Sequence, residues 1–459
     1  MSKGQKLVPK LRFPEFTDGS HAPAWKPASD RSSGIPTLER GNDQSDGVVV
    51  PKLRFPEFRG AWELKTLETL GYFTGGGTPS KDNAAYWTGE IPWISSSDLT
   101  EDSISKINVS RFITKQAVQE SATKLVPAKS ILLISRVGVG KLAVSTFPLC
   151  TSQDFTNFTP TVADPLFLAY LLKSQKQTLL SFNQGTSIKG FTKDNIASLR
   201  LGFPTTAEQQ KISECLSSVD ALIAAQARKV DALKTHKKGL MQQLFPTEGE
   251  TQPRLRFPEF QNAGEWEVKT MGSLASFSSG GTPSKDNPEY WNGSIPWVSA
   301  SSMYDLVVEK ADHYVTPFAI GNGTRIAKKG SILILVRGSM LFKRVPICIA
   351  GIDVAFNQDV KAIDVDASIN TDFLLYQLLA FQFRIPINET GIGAGKIELD
   401  HLKGFELFIP DASEQHRIAS CLSSLDALIT AETQKLGALK THKQGLMQQL
   451  FPSPEALEA

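Results

Sequence analysis

EQQKISECLSSVDALIAAQARKVDALKTHKKGLMQQLFP, residues 208–246, returns 206 residues later as EQHRIASCLSSLDALITAETQKLGALKTHKQGLMQQLFP, residues 414–452. The copies agree at 27 of 39 positions, so the chain carries an internal repeat that organises everything else. Steps of alternately four and three residues pick out Ile212, Leu216, Val219, Ile223, Gln226, Val230, Leu233, Lys237, Leu240 and Leu244 in the first copy. In the second they pick out Ile418, Leu422, Leu425, Ile429, Glu432, Leu436, Leu439, Lys443, Leu446 and Leu450. Eight of ten are apolar in each, the narrow seam of a coiled coil and not the broader face of a globular helix. No proline interrupts either stretch, and Pro246 and Pro452 end them. Each stretch therefore predicts one helix, roughly 55 Å long at about 1.5 Å per residue. A helix with a single seam needs a partner, and the other copy is the obvious one. Two ordinary core helices of separate domains are the plainer alternative, but matching polar breaks favour the pair.

The chain has 459 residues, enough for two to four domains. Its net charge of +2 gives no global basic field, so nucleic-acid contacts must come from local patches. Cys150, Cys215, Cys348 and Cys421 are far apart, and no pair has metal or redox spacing. Cys215 and Cys421 occupy equivalent helix positions and read as small core residues, which suits a reducing cytoplasm. The opening MSKGQKLVPK lacks the apolar core of a signal peptide, and no apolar run is long enough to span a membrane. A cytoplasmic location is the expectation.

Outward from the helices, PKLRFPEF stands at 9–16 and 51–58, and PRLRFPEF at 253–260. The last two lead into Trp62-Glu63-Leu64-Lys65 and Trp266-Glu267-Val268-Lys269. Residues 1–50 form an N-terminal extension with a partial duplication. Its stretch 17–50, rich in Ser, Gly, Pro and Asp, reads as a poorly ordered insertion, with a folded extra arm as the alternative. The expected layout is a globular unit at 51–207, a helix at 208–246, a linker at 247–265, a second unit at 266–413, a helix at 414–452 and a tail at 453–459. Over 76–97 against 280–301, 16 of 22 positions match, including Gly-Gly-Thr-Pro-Ser-Lys-Asp-Asn, Tyr-Trp and Ile-Pro-Trp. The β-branched SILLISRV (130–137) and SILILVRG (331–338) predict equivalent strands. Helices are predicted over 164–181 and 372–383. Helices mixed with strands give an α+β fold in which two similar units alternate with two long helices. If a pseudo-two-fold axis relates the halves, the layout is circular, and the RFPEF segment near the N-terminus lies beside the end of the second long helix.

Several enzyme motifs are nearly present, and each fails. GGGTPSK lacks the Gly-Lys-Ser/Thr end of a phosphate loop. Gly138-Val139-Gly140-Lys141 lacks the leading glycine and the trailing hydroxyl. Asn287-Pro288-Glu289-Tyr290 resembles an adenine-methyltransferase loop, but its counterpart is Asn83-Ala84-Ala85-Tyr86, and no glycine-rich cofactor loop precedes either. Glu63-Leu64-Lys65 and Glu267-Val268-Lys269 lack the preceding Asp of a nuclease metal site. His236 and His442 have no second ligand nearby in sequence. Catalysis and metal binding by this chain are not expected.

The Gly-Gly-Thr-Pro-Ser-Lys box has two readings. Thr78, Ser80 and Lys81, with Thr282, Ser284 and Lys285, could contact phosphate. Equally, Gly and Pro make turns, and the aromatic residues make a small core. Being nearly identical in both halves, the box cannot tell two targets apart. Sequence-reading residues belong where the halves differ, because Arg and Lys suit guanine edges and phosphates. The first half offers Lys106, Arg111, Lys115, Lys124, Lys129, Arg136, Lys141 and Lys189. The second offers Lys310, His313, Arg325, Lys328, Lys329, Arg337, Lys343, Arg344 and Lys396. For any single residue, solvated surface charge is the alternative.

The doubled long helices ending ALKTHKKGLMQQLFP and ALKTHKQGLMQQLFP, the doubled GGTPSKDN…YW…IPW box and the RFPEF…W lead-in together resemble the specificity subunit of type I restriction–modification systems. The resemblance spans 51–452; residues 1–50 depart from it. It implies two target recognition domains, each reading half of a bipartite, asymmetric DNA site. It implies antiparallel helices that set the unread spacer and dock two modification subunits, with restriction subunits joining the complex. S-adenosylmethionine, ATP and Mg would be bound by those partners, and no cofactor by this chain. Helices of roughly 55 Å can bridge one DNA turn of roughly 34 Å. A stand-alone DNA-binding regulator and an enzyme fused from two copies remain open on the residues alone. Tight specific binding without a methyltransferase would mark the first, and methylation or nicking by the purified chain the second.

Overall fold

The computed structural model describes residues 49–182, 190–390 and 393–452. The candidate Lys189 and nearly all of the N-terminal extension lie outside them. Four helices carry the architecture: α1 (Pro165–Ser174), α2 (Thr206–Leu244), α3 (Thr371–Phe381) and α4 (Ala412–Leu450). Two compact units divide the chain within both long helices, one holding residues up to 225 and from 436, the other residues 226–435. Among the described residues no helix is long and apolar enough to cross a membrane.

In the first unit, Glu63–Thr66 pairs antiparallel with Arg200–Phe203 and closes the unit at the foot of α2. One four-stranded sheet orders Gly71–Gly75, Phe155–Pro160, Ile131–Ile134 and Leu142–Val144. The other orders Arg111–Ile113, Ile91–Ile94, Leu149–Thr151 and Leu125–Val126. The central strand is shorter than the span expected at 130–137. The Ser135 amide turns to the Asp154 carbonyl, and Gly138 takes a φ of 93° that a β-branched residue resists. The helix expected over 164–181 starts as read: Asp164 caps it by accepting the Phe167 amide at 2.7 Å, and Pro165 follows the cap. It breaks at Gln175, and a separate short helix, Lys176–Ser181, follows.

The second unit repeats this plan with additions. Glu267–Thr270 pairs with Glu406–Ile409. A five-stranded sheet contains Ile332–Leu335, all four residues buried, and a four-stranded sheet contains Trp291–Val298. A further three-stranded sheet joins Arg337–Gly338, Ala394–Lys396 and Asn388–Thr390. Asn370 caps α3 as Asp164 caps α1, accepting the Phe373 amide at 2.9 Å.

The RFPEF…W lead-in anchors each long helix. Arg54 donates from Nε and Nη2 to the Glu208 carboxylate at 2.8 and 2.7 Å, and Glu208 is only 1% exposed. Arg256 grips Glu414 in the same bidentate way in the second unit. Trp62 and Trp266 stand edge-on to Phe167 and Phe373, each with centroids 5.9 Å apart. The Phe of each LFP end completes these clusters: Phe451 packs on Phe167 at 5.7 Å, and Phe245 on Phe373 at 5.6 Å. The first core thus includes the end of α4, and the second core the end of α2. The Leu53 amide donates to the Gln449 carbonyl at 2.9 Å, so the RFPEF segment runs beside the end of α4 as the circular layout requires.

None of the sixteen apolar seam residues is exposed. Ile212, Leu216, Val219, Val230, Leu244, Ile418, Leu422, Leu439 and Leu450 are buried. Ile223, Leu233, Leu240, Leu425, Ile429, Leu436 and Leu446 are half-buried. The polar breaks have partners. In the second unit Gln226 donates to Glu432 at 2.6 Å and Lys237 reaches Asp426 at 2.6 Å. In the first, Lys443 reaches Asp220 at 2.5 Å. In the second unit, numbers that rise along one helix fall along the other, so the two segments pair antiparallel there. Each aspartate also accepts a tyrosine hydroxyl at 2.7 Å, from Tyr170 of α1 and Tyr376 of α3 respectively. Each domain helix is thereby tied to a cross-helix ion pair.

Lys173 breaks this equivalence, because its place in the second unit is held by Leu379. Burial and then the neighbouring Lys443 ammonium push its pKa down to about 8. A lysine held below its unfolded value binds its proton less readily when folded. Its burial therefore costs stability while it is charged, below about pH 8, and the cost fades as pH rises toward 10.5. The Lys173→Leu variant is expected to be more stable than wild type at pH 7 by on the order of 2 kcal/mol. Denaturant melts at pH 7 and pH 10 check this: the gain should shrink at the higher pH, and a pH-independent difference would contradict it.

Candidate nucleic-acid interface

The Gly-Gly-Thr-Pro-Ser-Lys box is stitched to the sheets by its tryptophans. Trp93 donates its indole N–H to the Gly77 carbonyl at 2.9 Å, and Trp87 to the Ser80 carbonyl at 3.0 Å. Trp297 and Trp291 make the same bonds to Gly281 and Ser284, at 3.0 and 2.9 Å. The paired indoles meet edge to face, 5.1 Å apart in the first unit and 5.4 Å in the second. Gly76 has no alternative, since a Cβ there would lie 1.9 Å from the Ser152 carbonyl oxygen; at Gly280 it would lie 2.1 Å from that of Phe356. The hydroxyls are used within the fold. Thr78 donates to Gln153 and Thr282 to Gln358, while Ser80 and Ser284 accept the amides of Asp82 and Asp286 at 3.3 Å. Only Lys81 and Lys285 of the box project exposed cationic side chains.

The candidate readers divide into free-standing and engaged side chains. In the first unit Lys106, Lys115, Lys124 and Arg136 are exposed, and Lys141 is half-buried after the Gly138–Gly140 turn. Arg111 is engaged: it pairs with Asp98, donates to Ser95 Oγ at 2.7 Å and lies 4.7 Å over the Trp93 ring. That clamp was invisible in sequence because Asp98 and Arg111 meet only when Ile91–Ile94 pairs with Arg111–Ile113. In the second unit Lys310, Arg325, Lys328, Arg337 and Lys343 are exposed. Lys328 pairs with Asp353 at 2.9 Å, Lys396 with Glu398 at 2.7 Å, and Arg344 donates to the Met303 carbonyl at 3.0 Å.

The fold brings cations of the second unit together from two separate stretches of the chain. Arg337 and Lys396 are register partners across adjacent strands. The turn carrying Ser339–Phe342 packs on the same hairpin, where a Cβ at Gly395 would meet Leu341 at 3.0 Å, and Lys343 follows that turn. Phe342, 53% exposed, directly precedes Lys343; from sequence, as the end of the apolar stretch Met340–Phe342, it reads as core. An exposed aromatic ring beside a basic group suits a nucleic-acid strand better than it suits water.

The sequence matches the family model described as Type I restriction modification DNA specificity domain twice, over residues 60–235 and 263–441. It is 24% identical over 408 residues to the Type I restriction enzyme MjaIX specificity subunit of Methanocaldococcus jannaschii, covering 85% of this chain and 92% of that one. It is 33% identical over 177 residues to the EcoR124I/EcoR124II specificity subunit of Escherichia coli, covering 38% and 44% of the two chains. Among solved structures, the crystal structure of the type I restriction–modification S subunit from M. genitalium is similar, with a TM-score of 0.56 at 17% identity over 88% of this chain and 99% of that one. At that identity the likeness speaks for the fold.

Proposed function

Because the chain belongs to the type I restriction modification DNA specificity family, we propose that each of its two units reads one half of a bipartite, asymmetric DNA site. Within a type I restriction–modification system its role is sequence specificity. The observation that carries the two-half reading is one framework written twice with unlike surfaces. Both units share the tryptophan-stitched box and the Arg–Glu anchor, yet they differ in the cations displayed on the intervening loops. Equal frameworks with unequal readers suit two different half-sites.

The helix ends support partner docking. Lys234, Thr235, His236, Gln242 and Gln243 are exposed on α2, and the identical Lys440, Thr441, His442, Gln448 and Gln449 on α4. Two like surfaces suit two copies of one partner, the modification subunit. Catalysis, with S-adenosylmethionine, ATP and Mg, is assigned to the partner subunits and none of it to this chain; restriction subunits join the same complex, in the cytoplasm.

The test is salt-dependent DNA binding by the chain assembled with its methyltransferase. Replacing Arg337 and Lys343 together by alanine should weaken binding by about tenfold or more and lower the slope of log K against log salt by about 1–2. Unchanged affinity and slope would remove this surface from the interface.

A further inference from the structure

The two units use one framework position differently. Trp93 and Trp297 are equivalent in the repeat, and their register partners across the strand pair are Arg111 and His313. Asp98 closes the first clamp, and its equivalent in the second unit is Ser302. In the first unit the Arg111 guanidinium covers the Trp93 ring and is held by Asp98. In the second, among the described residues, no cation is found over Trp297. The His313 ring stands 6.3 Å from Trp297 and 6.2 Å from Trp291, inclined to both. The Ser302 hydroxyl is buried with no hydrogen-bond partner among the described residues. What remains is a cavity of about 610 Å³ lined by Lys285, Trp291, Trp297, Asp312, His313 and Tyr314.

We propose that this cavity in the second unit receives one unstacked, amino-bearing nucleobase of the bound DNA. The volume lies within the range of small-ligand pockets. Three aromatic side chains and an imidazole offer faces and edges for a planar heterocycle, as in single-strand binders. The Asp312 carboxylate accepts from Ser301 Oγ at 2.6 Å, and its remaining lone pairs suit an exocyclic amine, which adenine, cytosine and guanine carry and thymine lacks. Lys285 is exposed at the rim, placed for the attached phosphate. In the first unit the Arg111 guanidinium lies over the equivalent Trp93 ring and is paired with Asp98, so the two units present this tryptophan by different means. The inference rests on the reading of the chain as a DNA specificity subunit.

The test titrates the full-length chain with the four deoxynucleoside monophosphates, followed by tryptophan fluorescence. Three proteins are compared: wild type, Asp312→Asn, and His313→Arg combined with Ser302→Asp, which rebuilds the first unit's clamp. Saturable quenching by dAMP, dCMP or dGMP, weaker for TMP, is expected of wild type. The rebuilt clamp should weaken it by about tenfold or more, and Asp312→Asn should erase the preference over TMP. Should the rebuilt clamp fail to fold, the Asp312→Asn comparison decides alone. A second arm measures duplex DNA carrying the recognition site, bound to the chain with its methyltransferase. Equal nucleotide binding by wild type and variants overturns the pocket, and intact duplex binding then leaves the specificity reading standing. Pocket-dependent nucleotide binding with no site-specific duplex binding overturns the assignment to DNA and points to a free nucleotide.

Discussion

Replacing Glu208 by alanine is expected to destabilise the protein by about 3–5 kcal/mol. Glu208 is 1% exposed and receives two hydrogen bonds from Arg54, with the Trp62 indole N–H at 3.3 Å. The pairing holds Arg54 above its ordinary pKa, and with the carboxylate removed the guanidinium still keeps its charge, because its intrinsic pKa lies far above neutral. It is left 16% exposed with only carbonyls to serve it. Glu208 also sits in the first turn of α2, where a negative charge is favoured by the helix dipole. The urea midpoint measures the loss. Adding Arg54→Met to the variant should recover most of it, since both charges are then gone. A loss under about 1 kcal/mol would mean that the RFPEF arm does not anchor the helix.

Asp220→Ala should cost about 2–4 kcal/mol. It strips the acceptor from the Tyr170 hydroxyl and the counter-ion from Lys443, whose side chain is 9% exposed. Lys173 stands close by and already repels Lys443, so two lysines would share a site without their aspartate. A cycle with Lys443→Met isolates the pair term. The double variant should be more stable than Asp220→Ala alone. Additive losses would show that the cross-helix pair is not coupled.

The seam was legible because helical period is local: nothing beyond spacing is needed to place Ile212, Leu216 and Val219 on one side. The polar breaks were legible as breaks and not as partners. Lys237 meets Asp426, 189 residues away, and only the antiparallel pairing brings them together. The box was recognised from its repetition, but the tight approach at Gly76 depends on Ser152, from another strand end. The helix start at Asp164 follows local capping chemistry, and so does that of α3, which begins at Thr371 behind its Asn370 cap and ends at Phe381, not over 372–383 as expected. The stop at Gln175, whose backbone leaves the helical region at φ −88° and ψ 19°, has no such local signal in the sequence. Arg111 shows the limit for the interface: from sequence it is one more basic residue in a variable stretch, while in the structure its charge is already satisfied by Asp98.

The central claim is that this chain selects the DNA sequence a methyltransferase modifies. Methylation mapping tests it most directly: DNA from cells carrying a partner methyltransferase gene is compared with and without this chain. A split adenine-methylated motif should appear only when the chain is present, and exchanging residues 62–207 should then alter one half of that motif alone. A motif that persists without the chain, or changes in both halves after that exchange, would contradict the account.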